Sequence, residues 1–314
     1  ITLPYGLCNM LARRFANALL KMGIKKGDRL AIMAPNVPQY ILAQQACFKI
    51  GVIVVPVNPL APVPEITHQL NDSGAETIVV MAAFAKGPIE ILKAKISPLK
   101  QVITFQIKSM QIDLEKGNGI YDMDALVADS SDEEPDIKVT WSATALLQYT
   151  GGTTGVSKGC KLSNYNLVSI AYQDVCWFTP LFKTGELRTL AAIPVYHIFG
   201  FNCNVNVNLV NGGTIILVPQ PTTENILEAI NKHEPNFFAA VPTMIIGLNQ
   251  HPDTPKSKIR SIRGMISGSS PLAVEAMKKF EELSGATIIE GYGLSETSNV
   301  LTCNPIITKR KPGS

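Results

Sequence analysis

Long apolar runs are missing from this sequence. No stretch approaches the roughly 18 consecutive apolar residues that a bilayer-spanning helix needs, and the longest candidates are short pieces such as IGVIVVPV, Ile50 to Val57. No transmembrane segment is expected, while peripheral membrane contact is left open. Paired cysteines are missing too. The six cysteines, Cys8, Cys47, Cys160, Cys176, Cys203 and Cys303, contain no CxxC, which argues against a zinc site or a disulfide framework and favours a cytoplasmic setting. Nor is there an excess of one charge. With 28 basic and 25 acidic residues and a formal charge of +3, nothing supports a nucleic-acid partner. What the 314 residues do have is apolar content, 46% against 17% charged, enough for a substantial core and too much for general disorder. The first residue is Ile1 and a helical pattern begins almost at once, so we expect a piece of a longer polypeptide.

Apolar runs of strand length alternate with amphipathic stretches. Leu7, Met10, Leu11, Phe15 and Leu19 recur at helical spacing, with Gly23 placed to end that helix. Its basic neighbours Arg13, Arg14, Lys21, Lys25 and Lys26 read as a solvated face in preference to a membrane-surface helix. The runs RLAIM, VIVVPV, ETIVVM, QVITFQ, TLAAIPV, TIILVP, FFAAVP and ATIIE are continuous enough to be strands buried on both faces. The expected fold is α/β, with two largely parallel sheets flanked by helices. We expect a first α/β subdomain over 1–175 and a second over 176–314. The acidic stretch DSSDEEPD, Asp129 to Asp136, reads as a solvated loop or linker.

One loop stands out chemically: YTGGTTGVSKG, Tyr149 to Gly159. It leaves the apolar run ALLQY, and α/β proteins place ligand loops at the ends of strands. Glycines admit an anion close to the backbone, Thr150, Thr153 and Thr154 carry hydroxyl donors, and Lys158 adds a mobile charge, a combination suited to polyphosphate. A flexible surface loop is the plain alternative. The Walker A pattern fails because Lys158 lies between Ser157 and Gly159, and GxGxxG fails because Gly151 and Gly152 are adjacent.

Three further stretches follow: PVYHIFG at Pro194–Gly200, SGSSPL at Ser267–Leu272 and EGYGLSET at Glu290–Thr297. Together with the loop and the opening GIKKGDRLAIMAPNVPQY, they resemble, in order and over nearly the whole chain, the adenylate-forming superfamily of acyl-CoA synthetases, luciferases and peptide-synthetase adenylation domains. The wording is most similar to long-chain fatty acyl-CoA ligases. The resemblance implies an acid-thiol ligase that uses ATP and Mg²⁺ to turn a carboxylate into acyl-AMP with release of pyrophosphate, and then passes the acyl group to CoA. It implies that Thr150, Gly151, Gly152, Thr153, Thr154, Gly155 and Lys158 cradle the phosphates, and that Glu296 holds Mg²⁺ with help from Thr150. It also implies an adenine site made by the backbone of Gly268, Ser269 and Ser270 and the segment Glu290, Gly291, Tyr292 and Gly293, with Ser295 donating to the α-phosphate. Ser269 and Ser270 replace a commoner Gly and Ala.

Each motif has a bland reading as well. EGYGLSET can be a strand, a glycine turn and a helix capped by Ser295 with Glu296 in its first turn, and Pro271 can simply start a helix. A lone histidine among apolar residues is ordinarily packed core; the resemblance gives His197 a place at the acyl-adenylate. A general base is unnecessary there, since a fatty acid is already ionised near neutral pH. Phe199, Gly200 and Phe201 are candidates to line an acyl tunnel, Phe201 being the favoured gate. HIFGFNCNVNVNLVNGG contains no Asp or Glu, which favours an uncharged tail, while Asn202, Asn204, Asn206 and Asn208 keep aryl and medium-chain acids open. The family's ribose-binding Asp, hinge and C-terminal lid with its Lys would follow Ser314, so we expect this chain to be incompetent for the full reaction. A non-catalytic nucleotide-binding protein and a kinase-like phosphotransferase are the rivals.

Overall fold

The structure, a computed structural model, describes residues 1–108, 110–114, 116–150, 156–308, 310 and 311. Two compact units make up the chain, Ile1–Asn164 and Tyr165–Ser314. The division precedes the expected one after residue 175 for a physical reason. A cut at 175 would bisect the helix Asn164–Phe178, whose Phe178 packs on Phe237 of the second sheet at a ring separation of 4.8 Å.

The first unit holds strands β1 (Arg29–Met33), β2 (Ile53–Val57), β3 (Thr77–Met81), β4 (Gln101–Phe105), β5 (Ile120–Asp122), β6 (Thr144–Thr150) and β7 (Lys158–Ser163). Their order is β5-β4-β3-β1-β2-β6-β7, parallel throughout except for the antiparallel β6–β7 pair. Ala31, Met33, Val55, Ile78, Val80 and Val102 enter one core cluster with Leu70 and Ile91 from the helices. The alternate residues Leu30, Ile32, Val54, Val79 and Ile103 are equally inaccessible. Successive strand residues point to opposite faces, so both faces are covered, as continuous apolar strands require.

The acidic stretch is a strap. Asn17 Nδ2 donates to Ser131 O at 2.8 Å and to Glu133 O at 2.9 Å, and Lys21 Nζ to Asp129 O at 2.6 Å. Lys49 pairs with Glu134 at 2.7 Å, while Arg13 approaches the same carboxylate at 3.9 Å. The basic face of the helix Tyr5–Lys21 therefore has intramolecular partners. That helix ends at Lys21, with Gly23 N–H donating to Leu20 O at 3.0 Å just beyond it.

In the second unit stand β8 (Arg188–Ala191), β9 (Thr214–Leu217), β10 (Phe237–Ala240), β11 (Gly264–Ser267), β12 (Thr287–Leu294) and β13 (Asn299–Cys303). The order is β13-β12-β11-β10-β8-β9, again parallel apart from one antiparallel edge pair, β12–β13. Phe237, Ala239, Ile266 and Ile289 pack in one core cluster. Their neighbours Phe238, Ala240, Met265 and Ile288 pack in another, on the opposite face. Among the described residues no helix is long and apolar enough to cross a membrane.

The Glu134 carboxylate is more than half exposed, which limits what its ion pairs contribute. Glu134→Gln should cost less than about 1 kcal/mol of stability in chemical denaturation. The backbone hydrogen bonds of the strap survive that change, so a loss of several times that size would mean that the charges carry it.

Candidate active site

The glycine-rich loop is the tip of a β-hairpin. Thr150 at the end of β6 is the register partner of Lys158 at the start of β7, and Ser157 Oγ donates to Thr150 O at 2.7 Å. The chain thus returns as an antiparallel strand, where a Walker or dinucleotide loop would open into a helix. Lys158 is exposed and forms no ion pair among the described residues. Gly151, Gly152, Thr153, Thr154 and Gly155 lie outside the described residues.

The other three motifs leave the C-terminal ends of parallel strands in the second sheet, where open α/β sheets bind ligands. SGSS follows β11, EGYG lies within β12, and Ser267 is in register with Glu290. Glu290 Oε1 accepts from Leu272 N–H at 3.2 Å, so the two motifs are tied directly. The chain is still non-helical at Ala273, and the helix starts only at Val274. Ser269 is exposed with φ +73, a left-handed conformation that costs a non-glycine residue of order 1 kcal/mol. The expected mild departure from Gly is therefore a backbone cost at this position.

Tyr292 is 59% exposed, leaving its ring open to stacking. Gly293 is sterically required: a Cβ there would collide with Asn299 O and stand 2.5 Å from the Asn299 carbonyl carbon. Ser295–Thr297 is a single 3₁₀ turn, with Leu294 N–H donating to Thr297 Oγ1 at 3.0 Å, and it leads into β13. The capped α-helix of the bland reading does not form, and Glu296 stays exposed at the turn. Thr150 belongs to the first unit and Glu296 to the second.

His197 sits just beyond β8, where its Nδ1 accepts from Phe199 N–H at 3.2 Å. That bond leaves the proton of the neutral ring on Nε2, so the side chain presents a donor. Solvent reaches the residue, yet the protein around it displaces enough water to hold its pKa below the ordinary histidine value. Gly200 is pressed against the strand exit, where a Cβ would collide with Pro194 O and stand 2.7 Å from Pro194 C. Phe199 lies beneath Gly268, 3.1 Å from where a Cβ would be. Phe201 is 1% exposed, so it stands in the core and would have to move to act as a gate.

Phe201–Asn206 is a π-helical stretch, a form frequent at functional sites. Its asparagine donors are committed internally: Asn202 to Ser298 O, Asn204 to Ile193 O and Asn206 to Asn202 Oδ1, with Asn208 beyond it bonding Thr189 Oγ1.

The AMP-binding enzyme family matches residues 1–314. The chain belongs to that family. A long-chain-fatty-acid–CoA ligase of Bacillus subtilis is 33% identical over 96% of this chain and 57% of its own length. The chain thus spans little more than half of that relative. Among solved structures, an anthranilate CoA ligase, AuaEII, in complex with anthranoyl-AMP has a TM-score of 0.90 at 21% identity, covering 98% of this chain and 58% of its own. ATP-bound MatB from Rhodopseudomonas palustris has a TM-score of 0.84 at 28% identity, covering 98% and 58%. The two largely parallel sheets and their helices match the fold of those structures.

Sequence reasoning passed over Asp174. It lines a cleft of about 300 Å³ with Ile170, Trp177, Val300 and Cys303. It is 4% exposed, and its Oδ2 has no hydrogen-bond partner. Burial pushes its carboxyl up to about 7, partly offset by a hydrogen bond with Asn299. The folded state then holds a proton that the unfolded chain releases near the ordinary carboxylate value, so stability falls as pH rises through this window and the full penalty applies above about 7. Asp174→Asn should therefore raise the melting temperature more at pH 8 than at pH 5. An equal gain at both would show that the carboxyl does not titrate there.

Proposed function

We propose that this chain forms the ATP- and acyl-binding part of a fatty acid–CoA ligase. The carboxylate oxygen attacks the α-phosphorus of ATP and the bond to pyrophosphate breaks; the CoA thiol then attacks the acyl carbon and AMP leaves. The observation that carries the reading is the pairing of Thr150 with Lys158 where β6 and β7 flank a stretch rich in Gly and Thr, Lys158 being exposed and without an ion pair among the described residues. An exposed cation with no ion pair among the described residues suits a phosphate chain at such a place.

The roles follow from what each side chain offers. Lys158 contributes charge toward the β- and γ-phosphates, Ser295 a hydroxyl donor, and the open face of Tyr292 a stacking surface for adenine. His197 offers Nε2–H to an acyl-adenylate oxygen and orients it. Glu296 is exposed and forms no ion pair among the described residues, and no group of three potential ligands forms a metal cage there. This fits Mg²⁺, which binds through one or two carboxylates plus substrate phosphates and keeps several waters. Glu296 would hold the ion, and the bound cation would neutralise the leaving pyrophosphate.

For the acid, the stretch after His197 lacks Asp and Glu, which disfavours an amino acid. The asparagines each donate within the fold, while Asn204 Oδ1 is buried without a hydrogen-bond partner among the described residues, so these side chains leave aliphatic and aryl acids both open. Long chains are favoured by the relative from Bacillus subtilis. The chain matches only 57% of that relative, so the assays call for the intact protein.

Acid-dependent formation of AMP and pyrophosphate across a panel of aliphatic and aryl acids is the direct test; formation of ADP would instead indicate a phosphotransferase, and no turnover a binding protein. Lys158→Ala should slow adenylation by roughly 10- to 10³-fold, the scale of other electrostatic contacts to reacting groups. Unchanged kinetics would remove the hairpin from the phosphate site. Glu296→Gln should raise the Mg²⁺ concentration needed for half-maximal adenylation while leaving the melting temperature in place. Normal turnover at limiting Mg²⁺ would take this carboxylate out of the metal site.

A further inference from the structure

The glycine-rich hairpin is held by a helix remote from it in sequence. Tyr149 OH donates to Asp72 Oδ2 at 2.6 Å, and His68 Nε2 lies 2.8 Å from Ser157 O. Both acceptor and donor come from the helix Val63–Ser73, at a spacing that puts them on one face. A carbonyl oxygen only accepts, so His68 donates through Nε2–H. The phenol of Tyr149 is a durable donor too: burial, and then the Asp72 carboxylate, raise its pKa. Its ring is packed edge-on to His68, centroids 6.4 Å apart. Gly159 on the facing strand leaves that ring its space, since a Cβ would stand 3.1 Å from it.

These contacts bracket the tip on both sides. Tyr149 precedes it, Ser157 follows it, and Ser157 Oγ closes the neck onto Thr150 O. A loop whose ends are fixed before the ligand arrives loses less conformational freedom on binding, and its donors need less reorganisation. Hairpin strands alone fix the register of the neck; the two helix contacts also fix its tilt from outside the sheet.

We propose that His68 and Asp72 are positioning residues that preset the hairpin neck for the phosphate chain of ATP, an inference that rests on reading this hairpin as the phosphate loop. Neither residue touches the ligand in this scheme. They act through Ser157 and Tyr149.

The test is steady-state kinetics on the intact protein, with calorimetric titration of MgATP as a second readout, for Tyr149→Phe, His68→Ala, His68→Gln and Lys158→Ala. Tyr149→Phe removes one oxygen and keeps the ring, so the fold is spared. Tyr149→Phe and His68→Ala should each raise KM and Kd for ATP about three- to tenfold, the worth of one hydrogen bond, with KM for the acid held within about twofold. His68→Gln places an amide donor at similar reach and should restore most of the ATP affinity. A purely structural anchor would lower the melting temperature, raise both KM values together and gain nothing from Gln; that outcome overturns the proposal. If Lys158→Ala impairs ATP use while Tyr149→Phe and His68→Ala do not, positioning is refuted and the phosphate loop stands. If Lys158→Ala is silent as well, the phosphate-loop reading itself fails, and the positioning role falls with it.

Discussion

The constraint on which this architecture rests is that each sheet is buried on both faces. In β10, Phe237 and Ala239 feed one core cluster while Phe238 and Ala240 feed the other. No strand interior is then available for chemistry, because a polar side chain there would lose water without gaining a partner. Chemistry is displaced to the strand ends, where the backbone leaves the ladder. SGSS and the His197 turn stand in such places, and EGYG lies where β12 passes from its parallel pairing with β11 into the antiparallel pair with β13. The hairpin at the end of β6 obeys the same rule in the other sheet.

The proposed phosphate site would do without the device common to many α/β nucleotide sites, a helix N-terminus behind a glycine loop. An antiparallel return supplies no macrodipole. The anion would have to be held by side-chain charge and by backbone and hydroxyl donors, so the ammonium of Lys158, which forms no ion pair among the described residues, would matter more than it would beside a helix. Rigidity must also come from elsewhere. Hydrogen bonds across the neck and from the helix Val63–Ser73 provide it.

Most of the fold could be read from residues alone, for a definable reason. β1, β3 and β10 are doubly buried, so their own composition announces them. The edge strands β7 and β13 read KGCKLS and NVLTC; pairing to a single neighbour decides their state, and local composition says little. DSSDEEPD looks the same in sequence whether solvated or strapped, because its partners Asn17, Lys21 and Lys49 are more than 80 residues away. The helix after SGSSPL begins at Val274, later than Pro271 suggests, with Leu272 N–H donating to Glu290. At the site, the motif residues were legible as letters. Tyr149–Asp72 and His68–Ser157 were not, being separated by 77 and 89 residues with no local signal at either end.

The contact of Gly200 with the Pro194 carbonyl carries a consequence for how such a site can diversify. The turn bearing His197 is registered on the strand exit by main chain meeting main chain, so its location does not depend on which side chains fill the space beyond. On the proposed function, residues downstream of it could then be exchanged to suit acids of other shapes while the imidazole keeps its address. Recognition of the tail and placement of the reacting end become separable traits, free to change independently within one scaffold.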